Sequence, residues 1–248
     1  MQSDTTPPSA ITESSLENRG KDIDPKDSES GIDEPNLEAG PTASISDLTF
    51  DAQSSLSDTK QIYMDCKDEE AKYGVLVRVC KLIGETQKQS IIYIQSRQAA
   101  IRIAEMLSQE GHKTALVHSG QPFADRDHTI FSFRRGDTSI LVITNIEGRV
   151  FDNIIHVNIM VHFDLPVSRN MSERLPLDKL DFTTYMQRMG RAGRFGRNAI
   201  MINFAHDEKS RQYIHEAEEI VLSKMDRISA VDGDTMDEDL KKALRHIS

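Results

Sequence analysis

Four arginines recur at every third position in one short segment of the chain, and three glycines lie between them. The arginines are Arg188, Arg191, Arg194 and Arg197, and the glycines are Gly190, Gly193 and Gly196. No acidic residue lies between positions 182 and 206 to neutralise this charge. Guanidinium groups bind phosphate oxygens through paired hydrogen bonds, and glycine lets a ligand approach the backbone closely. The pattern therefore predicts a phosphate site; the alternative is a solvated basic loop.

The negative charge of the chain is concentrated at its ends. The 248 residues carry a formal net charge of -10, but residues 1–60 alone hold 13 acidic and 4 basic side chains. Residues 61–204 hold 16 acidic and 19 basic side chains, so this middle segment is mildly basic. The acidic overall balance therefore does not exclude an anionic ligand such as a nucleic acid.

The sequence disfavours two other classes of protein. No segment approaches the ~18 consecutive apolar residues that a membrane-spanning helix needs, so we predict no membrane partner. Cys66 and Cys80 show neither metal-ligand spacing nor the framework of a secreted disulfide-rich fold. We therefore predict no metal site on this chain and a cytosolic or nuclear location.

Composition and hydrophobic periodicity divide the chain into three parts. Residues 1–58 are rich in Ser, Thr, Asp, Glu, Pro and Gly, which predicts a disordered acidic arm. Residues 59–230 alternate short β-branched runs with helical periodicity, including a helix over 208–226. This alternation predicts a parallel α/β sheet with helices on both faces. The composition of residues 231–248 predicts an acidic tail with a short helix over 237–246.

Ligands of such open sheets bind beyond the carboxyl ends of the strands. The buried runs of this sequence end near Ile94, Val117, Thr144 and Phe163. The candidate ligand loops are therefore those that follow these four residues, together with the arginine run. The fold favours one shared edge for them but does not require it.

The arginine run and four further segments resemble one family of enzymes. Residues 185–197 resemble motif VI of the DEAD-box RNA helicases, which usually reads His-Arg-Ile-Gly-Arg-Thr-Gly-Arg. The other segments occur in the order that the family shows. They are 92–97, similar to motif IV; 118–120 with Arg126, similar to the nucleic-acid-contacting segment after it; 141–152, similar to motif V; and 163–166, similar to the strand end after motif V.

Two features favour the mRNA-export branch of that family. Eighteen residues separate Pro166 from Tyr185, more than most DEAD-box lobes have, and this marks 167–184 as an insert. Motif V also has the form Leu-Val-Ile-Thr-Asn. The resemblance covers about residues 60–230 and implies a RecA-like α/β fold, that of the C-terminal lobe of a P-loop NTPase-type helicase.

The resemblance implies a role for each motif. Arg191 and Arg194 would act as arginine fingers on the γ-phosphate of ATP, and Asp152 would accept a hydrogen bond from the ATP ribose. ATP and its Mg²⁺ would be held mainly by a separate N-terminal lobe. Arg188 would be structural and would join motif VI to the sheet. The implied contacts to the RNA backbone are Arg97, Ser119, Gly120 and Thr144.

Some of these residues have simpler explanations, and others depart from the family. Asp152 also fits a helix cap, and Thr144 also fits a buried residue at a strand end. In motif V, Val150 stands where the family has glycine, and a β-branched residue strongly disfavours a positive φ. In motif VI, Gln187 replaces the usual histidine. We expect these two replacements to alter motif V and the coupling to the other lobe.

Half of a helicase motor is missing from the sequence. It contains neither the G-x-x-x-x-G-K-[S/T] phosphate loop nor the Asp-Glu-Ala-Asp string that holds Mg²⁺. We therefore predict that the isolated chain hydrolyses ATP negligibly and works with a phosphate-loop-bearing lobe, in cis or in trans. The resemblance also implies mRNA-export factors as partners and a cytoplasmic or nuclear location, including the nuclear pore.

Two other functions stay open at the level of sequence. The chain could be a free-standing, non-catalytic RNA- or protein-binding module derived from a helicase, which Val150 and the missing phosphate loop favour. It could also be a regulator that docks the partners of the family through its acidic arm or through the insert. The pair Arg191 and Arg194 favours the enzyme.

Overall fold

Strands and helices alternate along the part of the chain that the computed structural model describes, residues 59–144, 157–168, 179–192 and 197–247. The strands are β1 (Thr59–Asp65), β2 (Ser90–Ile94), β3 (Thr114–Val117), β4 (Ile140–Thr144), β5 (Ile159–His162), β6 (Val167–Ser168), β7 (Lys179–Leu180), β8 (Ala199–Ala205) and β9 (Asp226–Ser229). The helices are α1 (Glu69–Glu85), α2 (Arg97–Gln109), α3 (Phe123–Arg134), α4 (Phe182–Met189), α5 (Glu208–Val221) and α6 (Gly233–Leu244), followed by a 3₁₀ turn (Arg245–Ile247).

Seven of the strands form one parallel sheet with the order β3-β4-β2-β5-β8-β1-β9. The central strands β2 and β4 are buried at every position, since a parallel strand in this position has helices on both of its faces. Their sequences, Ser-Ile-Ile-Tyr-Ile and Ile-Leu-Val-Ile-Thr, are accordingly almost entirely apolar. The predicted parallel α/β fold is confirmed.

Helices cover both faces of the sheet and create two hydrophobic cores. The core on one face contains Leu76 of α1, Ile103 of α2 and Leu240 of α6. The core on the other face contains Phe133 of α3, Tyr185 of α4 and Ile214 of α5. Because each helix buries its apolar side against the sheet, the loops between strands and helices are left at the edges, where they can bind ligands.

The carboxyl-terminal part of the chain differs from its prediction. The helix predicted over 208–226 ends at Val221, where Leu222 adopts a left-handed φ of 50°, and β9 follows and pairs with β1. The predicted tail at 231–248 contains α6, whose apolar residues belong to the same core as α1. The short helix predicted over 237–246 is thus present but begins four residues earlier, and it fills a core that the rest of the sheet leaves open.

The ends of the predicted insert form a short ribbon. β6 pairs with β7 in antiparallel register. Asp181 then begins α4, since its carboxylate accepts a hydrogen bond from the N–H of Thr184 at 3.0 Å. The middle of the insert, residues 169–178, and the predicted disordered arm, residues 1–58, lie outside the described residues.

Candidate nucleic-acid interface

Three neighbouring strands bring the predicted RNA-binding residues to one edge of the sheet. β3, β4 and β2 lie side by side and run parallel, so their carboxyl ends meet at the same edge. Arg97 begins α2 just after β2, and Thr144 ends β4. Ser119 and Gly120 follow β3. The fold thus assembles one surface from three separate loops, as expected for an open parallel sheet.

Arg97 packs against Gly120 within this surface. A β-carbon added at Gly120 would lie 2.5 Å from Nη1 of Arg97, so any larger residue would displace the guanidinium. The N–H of Gly120 donates a hydrogen bond to Nδ1 of His118 at 3.1 Å. Gly120 therefore contributes space for the guanidinium, while its own N–H is engaged within the loop.

Side-chain hydrogen bonds hold the loop after β3 in one shape. Oε1 of Gln121 accepts from the N–H of His118 at 3.0 Å, and Nε2 of Gln121 donates to the carbonyl of Leu116 at 3.2 Å. The N–H of Gln121 also donates to the carbonyl of His118 at 3.1 Å. Residues 118–121 form a closed turn, and such preorganisation lowers the entropy lost when a ligand binds.

The positive charge of Arg97 acts on His118. Partial burial lowers the pKa of His118 below its ordinary value of 6.5, and the charge of Arg97 lowers this pKa further. His118 is therefore neutral at neutral pH, which leaves Nδ1 free to accept the hydrogen bond from Gly120. Arginine rather than histidine supplies the positive charge of this surface.

Asp164 fixes the segment that carries Arg97. Its Oδ2 accepts a hydrogen bond from the N–H of Gln95 at 3.0 Å, and its Oδ1 forms an ion pair with Nζ of the buried Lys72 at 2.9 Å. Nε2 of Gln95 donates to the carbonyl of Leu165 at 2.6 Å. The strand end after β5 therefore holds the loop after β2, so the start of α2 has a defined position.

Two arginines of this region have no acidic partner. Among the described residues, no carboxylate lies within ion-pair distance of Arg97 or Arg126. The buried Nε of Arg126 also has no hydrogen-bond partner there, and the guanidinium carbon lies 5.7 Å from the ring centroid of Phe123. Charge that the protein leaves unneutralised attracts anions. Sequence reasoning identified Arg126 but missed Phe123, whose exposure only the structure reveals.

Arg188, the first arginine of the run, belongs to the core. It is buried at the end of α4, and its guanidinium carbon lies 4.3 Å from the ring centroid of Tyr93 in β2. Burial lowers the pKa of Arg188 to about 10 and raises the pKa of Tyr93 to about 12. The side chain joins α4 to the sheet, which agrees with the structural role predicted for it.

Arg191 does not share the edge with the predicted RNA contacts. Its carbonyl accepts a hydrogen bond from the N–H of Val157 at 3.3 Å, and Ala192 pairs with Val157 two residues before β5 begins. The backbone of Arg191 therefore lies at the amino end of β5 and not at the carboxyl edge that the other candidate loops share. The cause is the crossover, because a helix between two parallel strands must return the chain to the starting edge.

The remaining predicted site residues divide into two groups. Asp152 and Arg194, together with Val150, lie outside the described residues. Thr144 is buried at the end of β4, as its simpler explanation requires, whereas the other three predicted RNA contacts are exposed.

A membrane-spanning helix would need a long apolar segment, and none of the described helices has one.

Sequence comparison identifies relatives of the chain. Residues 72–196 match the family of the helicase conserved C-terminal domain. The chain is 39% identical over 193 residues to the ATP-dependent RNA helicase DBP5 of Mycosarcoma maydis, and 36% identical over 191 residues to that of Schizosaccharomyces pombe. These alignments cover 78% and 77% of this chain but 40% and 36% of the relatives. The chain thus spans about two fifths of the length of the curated relatives it matches.

Solved structures share the fold. The C-terminal domain of the DEAD-box protein Dbp5 matches with a TM-score of 0.68 at 33% identity, covering 75% of this chain and 98% of that one. S. cerevisiae Dbp5 bound to RNA and ADP BeF3 matches at 0.62 and 32% identity, covering 75% and 46%. A variant of S. cerevisiae Dbp5 bound to Nup159, a Gle1 variant, IP6 and ADP matches at 0.66 and 31% identity, covering 77% and 47%.

The matched family spans half of the chain, and the Dbp5 C-terminal domain matches over nearly its whole length. The ordered motifs, the parallel seven-stranded sheet and these matches agree with one another. The chain belongs to the helicase conserved C-terminal domain family, in the RecA-like form found in Dbp5-type DEAD-box RNA helicases.

Proposed function

We propose that this chain works as the second lobe of an ATP-dependent RNA helicase, binding the RNA backbone and completing an ATPase site on another lobe. The observation that carries the proposal is the surface at the carboxyl ends of β3, β4 and β2. There Arg97 lies against Gly120 and has no acidic partner among the described residues. The RNA helicases among its relatives, and the Dbp5 structure that contains RNA, support RNA as the anion.

The contacts to RNA would involve phosphate more than bases. The exposed donors are the guanidinium of Arg97 and the hydroxyl of Ser119, and both suit phosphate oxygens. Gly120 would act by making room for the guanidinium, and a contact by Thr144 would be made at the buried end of β4. Binding to phosphate is largely independent of base sequence and weakens as salt concentration rises.

The arginine fingers would complete the ATPase site. Arg191 and Arg194 would reach the γ-phosphate of the ATP and Mg²⁺ that the other lobe holds, and Asp152 would accept from the ribose. ATP supplies the phosphoryl group that is transferred to water. The two guanidinium groups stabilise the negative charge that develops during the transfer. The packing of Arg188 on Tyr93 supports this role, because it anchors the helix from whose end the run continues.

The partners would be those of the mRNA-export branch. The chain lacks the phosphate loop, so a lobe that carries one must act with it, in cis or in trans. The Dbp5 structure that contains Nup159 and a Gle1 variant supports mRNA-export factors as further partners. A location in the cytoplasm and nucleus, including the nuclear pore, follows from such partners.

The test joins this chain to the phosphate-loop-bearing lobe of a Dbp5 relative and measures RNA-stimulated ATP hydrolysis. The double substitution Arg191→Ala with Arg194→Ala should lower the rate by about 10³-fold or more, because the developing charge on the γ-phosphate loses its compensation. RNA binding in the absence of nucleotide should change little. Arg197→Ala removes one charge from the same run and serves as the matched control, with hydrolysis retained.

Two results would count against this function. Unchanged hydrolysis in the double variant would contradict the assignment of the fingers. Hydrolysis that never exceeds that of the phosphate-loop-bearing lobe alone would favour the free-standing binding module, which Val150 also favours. RNA binding by the chain alone would then be the activity to assay.

A further inference from the structure

The loop after β3 leads to an exposed aromatic ring. Phe123 is the first residue of α3, three positions after Gly120, and 63% of its surface is exposed. Among the described residues it belongs to neither hydrophobic core, whereas Phe133 of the same helix is buried in one of them. The ring of Phe123 therefore contributes little to packing and is accessible to a ligand.

The backbone that carries this ring has a defined shape. The closed turn at 118–121 comes just before it, and Pro122, with its φ restricted by the pyrrolidine ring, connects that turn to α3. One helical turn further, the guanidinium of Arg126 lies near the ring, with no acidic partner among the described residues. Phe123 therefore has a defined position beside the surface formed by Arg97 and Gly120.

We propose that Phe123 stacks on an unpaired base of the bound RNA strand. This inference rests on the proposed function, because it requires RNA at this edge of the sheet. Proteins that bind single strands without sequence preference combine cations that hold phosphates with aromatic rings that stack on bases. Here Arg97 and Arg126 supply the cations and Phe123 supplies the ring, within one short surface.

The distances along the chain fit a single short strand. The base of a nucleotide lies next to its own phosphate, and only two residues separate Gly120 from Phe123. A phosphate beside Arg97 and a base on Phe123 can therefore belong to the same nucleotide or to adjacent ones. A base that stacks on a protein ring is taken out of a duplex, so this contact favours single-stranded RNA over double-stranded RNA.

The same helix offers a matched control. Phe131 is also exposed, to 54%, and also lies near an arginine, with the guanidinium carbon of Arg135 5.1 Å from its ring centroid. Nε of Arg135, however, donates to the carboxylate of Asp137 at 3.1 Å, so this cation is neutralised. Phe131 lies two helical turns beyond Phe123 and away from the closed turn. It therefore resembles Phe123 in residue type and exposure but lacks the neighbouring phosphate contacts.

The chain contains no tryptophan, which allows a direct spectroscopic test. Phe123→Trp and Phe131→Trp each introduce a single fluorescent reporter into the full chain. Titration with a short oligouridylate should quench the tryptophan at position 123, with a midpoint that matches the affinity measured by anisotropy of labelled RNA. The tryptophan at position 131 should keep its fluorescence. Quenching is read at the ring itself, so this test does not depend on how far affinity changes.

The alanine variants give a second, energetic test. Phe123→Ala should weaken the binding of oligouridylate by about 10-fold, and Phe131→Ala by less than about 2-fold. The slope of log affinity against log salt should not change in Phe123→Ala, because no phosphate contact is lost. An abasic strand of the same length should bind Phe123→Ala and the unchanged chain equally well.

The outcomes separate this inference from the proposed function. If Arg97→Ala weakens RNA binding while tryptophan at position 123 is not quenched and Phe123→Ala binds normally, the stacking contact is overturned and the proposed function stands. Equal quenching at positions 123 and 131 would also overturn it. If the unchanged chain shows no salt-dependent RNA binding, the proposed function and the inference both fail.

Discussion

Two regions that contain arginines lie at the two lateral ends of the same sheet, and they differ in whether a carboxylate lies next to the arginines. At the side of β1 and β9, the buried carboxylate of Asp65 accepts hydrogen bonds from Nε of Arg211 at 3.0 Å and from Nε of Arg227 at 2.9 Å. At the side of β3, β4 and β2, Arg97 and Arg126 have no carboxylate within ion-pair distance among the described residues.

The difference lies in the neighbouring carboxylate and not in the position on the sheet. Asp65 ends β1 and Arg97 follows β2, so both regions lie at carboxyl ends of parallel strands, where ligands of such sheets bind. Position alone therefore does not predict binding. The neighbouring carboxylate is what differs: Asp65 holds both guanidinium groups and offsets one of their two positive charges, whereas no carboxylate among the described residues lies within ion-pair distance of Arg97. We therefore expect Arg97 to attract a phosphate more strongly than either arginine at Asp65.

The largest effect is expected where the carboxylate is removed from the region around Asp65. Asp65→Asn leaves Arg211 and Arg227 side by side without a counter-charge. Loss of one partner from a buried ion pair costs 3–5 kcal/mol; here both arginines are partly exposed and can be hydrated, so we expect a loss of about 2 kcal/mol in the free energy of unfolding. Urea denaturation followed by circular dichroism measures it.

An exposed ion pair that joins β1 to β9 is the control for this substitution. Nζ of Lys60 lies 3.0 Å from the carboxylate of Asp226, whose side chain is 70% exposed. Asp226→Asn should therefore cost less than about 1 kcal/mol. If Asp65→Asn lowered the free energy of unfolding no more than Asp226→Asn does, the ion pairs around Asp65 would not stabilise the fold. The two regions would then not differ in the way described.

A smaller effect is expected on RNA affinity, and it should separate the two regions. Arg97→Ala should weaken the binding of single-stranded RNA by about 5- to 10-fold and reduce the slope of log affinity against log salt by about 0.7, as expected for one lost phosphate contact. Arg211→Ala removes the same charge from the region around Asp65, where the carboxylate already holds the guanidinium, and should change RNA affinity by less than about 2-fold. Titrations by fluorescence anisotropy at several salt concentrations measure both. Equal losses would mean that only the total charge matters.

The smallest effect is a change in the pKa of His118. Arg97→Ala removes a cause of the depressed pKa, so this pKa should rise toward 6.5 in an NMR titration. Arg102→Ala is the control, because Arg102 lies on the same helix but is paired with Glu70. An unchanged pKa in Arg97→Ala would show that solvent screens the charge of Arg97 from the loop after β3.

The depressed pKa also sets the direction of a pH effect. Since the folded protein holds the pKa of His118 below the value of 6.5 in the unfolded chain, the folded state favours the neutral imidazole. The contribution of His118 to the free energy of unfolding is fully present above pH 6.5. It is lost as pH falls through the folded pKa, because the unfolded chain binds the proton more readily. Arg97→Ala should reduce this loss, because it brings the two pKa values closer together.

Much of the fold could be predicted from local pattern. The buried runs predicted to end near Ile94 and Thr144 are strands β2 and β4, which end at these residues, since a continuous apolar run is a strong local signal. β9 was missed because its four residues, Asp-Arg-Ile-Ser, include one buried apolar side chain. Such an edge strand forms because β1 supplies its backbone hydrogen-bond partners, and β1 lies in a distant part of the chain.

The candidate site was predicted unevenly for the same reason. The order of the motifs identified Arg97, Ser119 and Gly120, and the structure brings them to one edge. It placed Arg191 at the other edge and revealed the exposure of Phe123, neither of which a residue's type can show. The contacts predicted for Asp152 and Arg194 stay predictions, since these residues lie outside the described part.

The sequence by itself determined the family, the alternation of strands and helices, and the residue types available for binding phosphate. Only the tertiary structure decided which arginines have a carboxylate within ion-pair distance. Arg211 and Arg227 find their carboxylate 146 and 162 positions away in the chain, in Asp65, while Arg97 finds none within the described residues. Local sequence sets propensity and pattern, but neutralisation of a charge depends on which distant groups the folded chain brings within a few ångströms.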